Sequence, residues 1–195
     1  MITADHPLSA QTGAAVLEAG GNAVDAAVAA NLVMTVVRPH MCGLGGDLFA
    51  LIYMADNRQF EALNASGRAP YAANPDVYRD KGYAAIPESG ILTATVPGAI
   101  AGWQAALEKY GTMGLDRLLS KAINYAENGF PVYGELQDAL EEHRKILEHS
   151  PAAKETFFRS GRFPQKGELL IQKQLAKSLR MLAENGPDAF YRGPL

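Results

Sequence analysis

The sequence predicts an α/β or α+β chain, richer in helix than in sheet. Strand-like apolar runs occur at Leu48–Tyr53, Gln59–Asn64 and Ile91–Val96, and segments with helical caps and stops lie before and after them. With 48% of its 195 residues hydrophobic, the chain can bury a sizeable core, roughly 70% of its unfolded surface if it is a complete domain.

Taken in order, Met1–Ala4 reads as a strand cut short by His6-Pro7. Ser9 caps a helix of about ten residues, which Gly20-Gly21 stops. Asn22 caps the next helix with Asp25 three places on, an arrangement suited to the helix dipole. Alanines at 23, 26, 27, 29 and 30 make this helix smooth on every side, so it is expected to be buried, and Pro39 ends it. Gly43–Gly46 is a turn, here expected to need positive φ. Leu48–Tyr53 and Gln59–Asn64 form a hairpin about Ala55–Arg58.

Ser66–Pro70 is a loop, Asn74-Pro75 opens a short helix, and Ile91–Val96 is a third strand closed by Pro97-Gly98. Helices follow at Ala99–Tyr110, Asp116–Asn128 and Glu135–Leu147. Ser150–Gly167 is the least regular stretch, and a last helix covers Leu169–Glu184. Three or four strands fall short of the usual five or six of a sheet. The chain is therefore read as part of a larger protein, stopping in mid-turn at its end.

Composition excludes several roles. Eighteen basic against 21 acidic residues give no positive field for a polyanion, so no nucleic-acid partner is expected. The longest apolar stretch, Ala23–Val37, carries Asp25 and Asn31 and is too short to span a bilayer. One cysteine, Cys42, rules out an internal disulfide, and four scattered histidines offer no metal cluster; no metal or cofactor is expected. The opening residues have no basic segment followed by an apolar one, so the chain reads as cytoplasmic, with export left open if a leader has been removed.

Most candidate motifs have a plain structural use. Gly43-Leu44-Gly45-Gly46 lacks the Lys-Ser/Thr of a phosphate loop and precedes a strand where a dinucleotide loop precedes a helix. His40 and Cys42 are two residues apart, about 6.6 Å along a strand, too far for a thiolate–imidazole hydrogen bond without a bend. Asp25 is explained by helix capping, Glu141–Lys145 by a solvated helix face, and Trp103 by core packing. Ser66-Gly67-Arg68-Ala69-Pro70 differs. An arginine in a Gly/Pro loop straight after a strand is well placed for a carboxylate, to which its fork makes two charge-assisted hydrogen bonds, although a plain surface arginine is an equal reading.

Several stretches taken together resemble the γ-glutamyltransferase family, in the N-terminal part of its large subunit. They are His6-Pro7-Leu8 with Gly20–Ala29, Pro39–Gly46 with Phe49, Val96-Pro97-Gly98, Gly102-Trp103, Tyr110-Gly111, Ala126–Val132 and Phe190–Gly193, in the family's order. The resemblance implies an N-terminal nucleophile hydrolase, of which residues 1–195 are a single partial domain of the αββα four-layer sandwich. It implies a precursor that cleaves itself, a small subunit whose N-terminal threonine is nucleophile and base, and a γ-glutamyl amide such as glutathione as substrate.

No catalytic residue is assigned within this chain, because Thr3, Thr12, Thr35, Thr93, Thr95, Thr112 and Thr156 match no nucleophile motif. The family's substrate pentad is Arg-Glu-x-Ala-Pro, and here Ser66 stands at its arginine position with Arg68 two places later. In an extended segment those side chains point the same way, about 6.6 Å apart. Arg68, with Ser66 beside it, is the expected substrate-binding pair.

Ser-Gly-Arg-Ala-Pro and Gly45-Gly46-Asp47-Leu48-Phe49 resemble the divergent bacterial branch, which includes cephalosporin acylases and oxamate amidohydrolases. Hydrolysis of oxamate or another small amide is therefore the alternative to glutamyl transfer. A non-catalytic fragment or scaffold that needs a partner chain is a second alternative. An isolated fragment is also expected to expose apolar sheet and helix faces.

Overall fold

The computed structural model describes residues 1–195. They form two compact units, Met1–Gly43 with Ala106–Leu195, and Leu44–Ala105.

The first unit opens without regular structure at Met1–Ala4, where the sequence suggests a strand. Helix α1 spans Pro7–Glu18. Its cap is His6, not Ser9: Nδ1 of His6 accepts the Leu8 N–H, and Pro7 takes the first helical position, where no N–H is needed. Ser9 lies one turn further in, fully buried, and its hydroxyl donates to the Ala30 carbonyl at 2.6 Å.

Helix α2 spans Ala23–Val37 and has the expected capping box. Asn22 Oδ1 accepts from Val24 and Asp25 N–H while Asp25 Oδ2 accepts the Asn22 N–H at 2.8 Å. Twelve of its residues are buried, from Val24 to Val37. Small side chains let neighbouring backbone come close, and a Cβ on Gly13 of α1 would lie 3.1 Å from the Ala26 carbonyl oxygen.

The second unit begins with a hairpin, β1 (Leu48–Met54) antiparallel to β2 (Gln59–Ala65), in register Leu48↔Ala65 through Met54↔Gln59. Arg58 in the turn has φ 55°, as hairpin turns require. One face of the hairpin is half-buried through Leu48, Ala50 and Ile52. The other exposes Phe49, Leu51, Tyr53 and Phe60, an open apolar face in keeping with the shortage of strands.

Helix α3 (Pro75–Asp80) starts at Asn74 as the sequence suggests. Ile91–Val96 is not a strand: Ile91–Thr93 is a 3-10 turn whose Thr93 hydroxyl donates to the Gly90 carbonyl, and only Val96 pairs with an extended neighbour, at Arg68. Helix α4 (Ala99–Tyr110) starts in this unit and runs out of it, with Trp103 buried.

The remainder of the first unit is helical, with α5 at Leu115–Asn128. The two-residue strand β3 (Phe130–Pro131) leads into α6 (Gly134–Glu142) and α7 (Arg144–His149). The expected single helix Glu135–Leu147 is thus broken at His143, whose ring nitrogen contacts the Ala139 carbonyl one turn back. Helix α8 (Pro151–Phe157) lies in the stretch the sequence leaves irregular, and Ser150 caps it.

The short strand β4 (Leu169–Leu170) pairs with β3, so α9 starts only at Lys173 and runs to Asn185; α10 is Asp188–Tyr191. Within this unit α1 packs on α2, α2 on α5, and α5 on α9. Their buried faces include Leu32, Val33, Leu119, Ala122, Leu179 and Leu182. No helix is long and apolar enough to cross a membrane.

Candidate substrate-binding site

The Ser66–Pro70 loop leaves the end of β2 and is held residue by residue. The Ser66 N–H donates to Asn64 Oδ1 at 2.9 Å, a turn that asparagine makes with its own backbone two places on. The Gly67 N–H donates to Asp47 Oδ1 at 2.7 Å, and the Arg68 carbonyl accepts the Val96 N–H at 2.9 Å.

Close approach of backbone to backbone explains the glycines. A Cβ on Gly67 would lie 1.7 Å from the Val96 carbonyl oxygen, and one on Gly98 would lie 2.0 Å from that of Ala65. One on Gly102 would collide with Ala65 and Leu48 side chains at 2.6 and 2.7 Å. Gly98 and Ala99 both donate to the Gly46 carbonyl, fixing the start of α4.

Together these segments line a cleft of about 320 Å³. Its walls are the end of β2 (Leu63–Ala65), the loop Ser66–Arg68, Val96–Gly98, and Ala101, Gly102 and Ala105 on α4. The Ser66 and Gly67 N–H groups are already engaged, so the polar groups this loop presents from its side chains are the Ser66 hydroxyl and the Arg68 guanidinium. Both residues are exposed. Arg38, Arg144, Arg162 and Arg180 are taken up by carboxylates of this chain, whereas Arg68 is in no such pair.

The other candidates have structural uses. Burial pushes the Cys42 thiol up, with the Arg38 charge pulling partly against it, so the thiol is not a poised nucleophile. His40 lies beside Arg38 and Glu135, and burial first, then the Arg38 charge, push its imidazole down. Arg38 itself is buried and bridges Asp5 at 3.2 Å and Glu135 at 2.5 Å. Gly43–Gly46 contains no positive φ, contrary to expectation, and a Cβ on Gly45 would meet open space. In the charge run, Arg144 departs from a purely solvated role: it pairs with Glu141 and Glu148 and lies over the Phe163 ring at 4.6 Å.

Sequence reasoning missed Asn64 and Asp47. Asn64 carries a local signal, an asparagine two residues before an exposed turn residue. Asp47 carries none, since it and Gly67 are 20 positions apart.

Residues 9–195 match the family described as Gamma-glutamyltranspeptidase. The chain is 43% identical over its whole length to the glutathione hydrolase-like YwrD proenzyme of Bacillus subtilis (strain 168), and covers 37% of that protein. It is 41% identical, again over its whole length, to the oxamate amidohydrolase proenzyme of Klebsiella pneumoniae, and covers 38% of it. The chain thus spans well under half the length of these relatives. The crystal structure of Helicobacter pylori gamma-glutamyltranspeptidase superposes on 98% of the chain with a TM-score of 0.93 and 38% identity, and the chain covers 56% of it. The fold is accordingly that of the N-terminal nucleophile hydrolases of this group, present in part. With the match running from Ser9, in the first turn of α1, to the last residue, the chain belongs to the gamma-glutamyltranspeptidase family.

Proposed function

We propose that residues 1–195 are a partial domain, the N-terminal part of the large subunit of a self-processing amide hydrolase or acyl transferase. The chain is inactive alone and works with a small subunit that supplies an N-terminal threonine. Support comes from family membership and from the short share of two relatives, both named proenzymes, that the chain covers.

In this reaction the threonine Oγ attacks the amide carbonyl, its proton passes by way of the threonine's own amine to the leaving amine, and an ester remains. Water or an acceptor amine then takes the acyl group. The part played by this chain is to hold the acyl half of the substrate. The observation that carries this is Arg68, an exposed and uncommitted guanidinium on a pinned loop at the edge of a cleft. Its fork takes a substrate carboxylate in two charge-assisted hydrogen bonds, with the Ser66 hydroxyl as a further donor.

Both γ-glutamyl amides and oxamate carry a carboxylate on the acyl side. The glutathione hydrolase-like relative favours the first. The oxamate amidohydrolase relative, together with Ser66 where the family's pentad has arginine, favours the second as an alternative.

The test uses the mature full-length enzyme, following aniline release from a γ-glutamyl anilide and ammonia release from oxamate. Arg68→Ala is expected to raise KM about tenfold to a hundredfold, the worth of a hydrogen bond to a charged group. An unchanged KM on both substrates removes Arg68 from the site. Turnover of the anilide supports the γ-glutamyl reading, turnover of oxamate alone supports the amidohydrolase, and a processed but inert protein favours a scaffold.

A further inference from the structure

The Ser66–Arg68 loop is tied to its own strand by Asn64, but only one side chain holds it from a distant part of the sequence. Asp47 precedes β1, and the register Leu48↔Ala65 places Asp47 opposite the loop at the open end of the hairpin. There its Oδ1 accepts the Gly67 N–H at 2.7 Å, a short, charge-assisted bond.

Gly67 is the residue between the two candidate substrate contacts, so the orientation of its peptide sets the directions in which Ser66 and Arg68 leave the chain. The other side of Gly67 lies flat on Thr95–Val96, with no room for a Cβ. On that side the Val96 N–H holds the Arg68 carbonyl at 2.9 Å, one peptide further on, while the Asp47 carboxylate holds the Gly67 N–H itself and so fixes the tilt of the peptide between Ser66 and Gly67. A tilt of about 20° acting over an arginine arm of about 6 Å moves the guanidinium by about 2 Å, several times the roughly 0.5 Å tolerance of a productive contact.

We propose that Asp47 is a positioning residue for substrate binding: its carboxylate fixes the Gly67 peptide so that the Arg68 fork stays at the cleft, ready for the substrate carboxylate. This rests on the reading of Arg68 as the carboxylate-binding group. Asp47 need not touch the substrate, and its negative charge is already turned to a backbone donor.

The experiment uses the mature full-length enzyme with whichever of γ-glutamyl anilide or oxamate it turns over, and compares Asp47→Ala, Asp47→Asn, Arg68→Ala and the Asp47→Ala/Arg68→Ala double variant. Asp47→Ala is expected to raise KM about tenfold with kcat within twofold. Asp47→Asn, which keeps an acceptor oxygen, is expected to recover most of that loss. In the Arg68→Ala background Asp47→Ala should change KM less than twofold, because the group it positions is gone.

If Arg68→Ala raises KM and Asp47→Ala does not, the Asp47 inference is overturned and the Arg68 reading stands. Full additivity of the two changes overturns it as well, since Asp47 would then act by another route. An unchanged KM in Arg68→Ala removes the carboxylate reading and this inference together. If Asp47→Ala fails to fold, Asp47→Asn alone decides: near-normal KM with retained Tm supports the inference, and a KM as poor as that of Arg68→Ala at normal Tm overturns it.

Discussion

The carboxylate of Asp25 closes on Thr112, 87 positions later in the chain: the threonine hydroxyl donates to Oδ2 at 2.5 Å and its N–H to Oδ1 at 2.9 Å. Asn22 and Met113 add two more backbone donors, so one fully buried side chain joins the start of α2 to the turn that precedes α5.

Burial acts to raise the Asp25 pKa, but the hydroxyl of Thr112 and the N–H groups of Asn22, Thr112 and Met113 outweigh it and hold the carboxyl below the usual carboxylate range. A depressed carboxyl stabilises the fold above its ordinary pKa of about 3.9, and that contribution is lost as pH falls through the lowered value. Asp25→Ala is expected to cost about 2–4 kcal/mol at pH 7, since it leaves several buried donors without an acceptor. Thr112→Val should cost about half as much. Urea unfolding of the full-length protein checks both, and equal stability of wild type and Asp25→Ala at pH 7 would contradict the network.

Gly67→Ala puts a methyl 1.7 Å from the Val96 carbonyl oxygen, and Gly98→Ala puts one 2.0 Å from that of Ala65. Both neighbours are backbone and cannot rotate aside. Each variant is expected to lose about 1–3 kcal/mol of stability and to raise KM by moving the loop. Gly45→Ala, with open space around it, is the control and should stay within about 0.5 kcal/mol of wild type.

The imidazoles of His6 and His40 are both held below the usual histidine value, in each case first by burial and then by the charge of Arg38. At His40 the Glu135 carboxylate pulls partly back, and His143 adds to the downward push. With histidine pKa values lowered on folding, the unfolded chain takes up protons first as pH drops below about 6.5. Stability is therefore full above that pH and declines as pH falls toward the lowered values. Arg38→Met should lower stability at pH 7.5, by leaving Asp5 and Glu135 unpaired, yet flatten the decline between pH 7 and 5. Proton NMR of the two rings reports the same shift directly: they should titrate below about 6.5 in the wild type and move up in the variant.

Glu168 receives both arms of the Arg162 fork at 2.8 Å and the Gln165 N–H at 2.7 Å. These, the arginine contact first, pull its pKa down to about 2. Carbon-13 NMR of the side-chain carboxyl in the wild type should show it ionised to near that pH. In Arg162→Gln it should return most of the way to the ordinary glutamate value of about 4.3.

Most of the local signals in the sequence read correctly, the exceptions being the cap of α1, the Gly43–Gly46 turn and the break at His143. The Asn22/Asp25 box, the apolar girth of α2, the Ala55–Arg58 hairpin and the Asn74-Pro75 start of α3 each depend on residues within a few positions of one another. Three further misread segments depend on something further away. Met1–Ala4 has strand-forming residues but no strand beside it. Ile91–Val96 likewise finds backbone from a distant part of the chain only at Arg68. The pairing of Leu169–Leu170 with Phe130–Pro131 delays the start of α9, and no short-range pattern announces it.

Of the two proposed substrate contacts, Arg68 is suggested by a local pattern, a charged side chain in a Gly/Pro loop after a strand, and Ser66 by its place in the pentad of the family resemblance. The support from Asp47 is a contact that exists only once the hairpin has set its register.

The glycines at 67, 98 and 102 fit backbone against neighbouring chain, so the frame of the loop owes little to the identity of the residues on either side of Gly67. Positions 66 and 68 can therefore be exchanged without rebuilding the scaffold. A small combinatorial library at these two sites, with the glycines and Asp47 held fixed, would show whether the two positions select the acyl group in the proposed reaction.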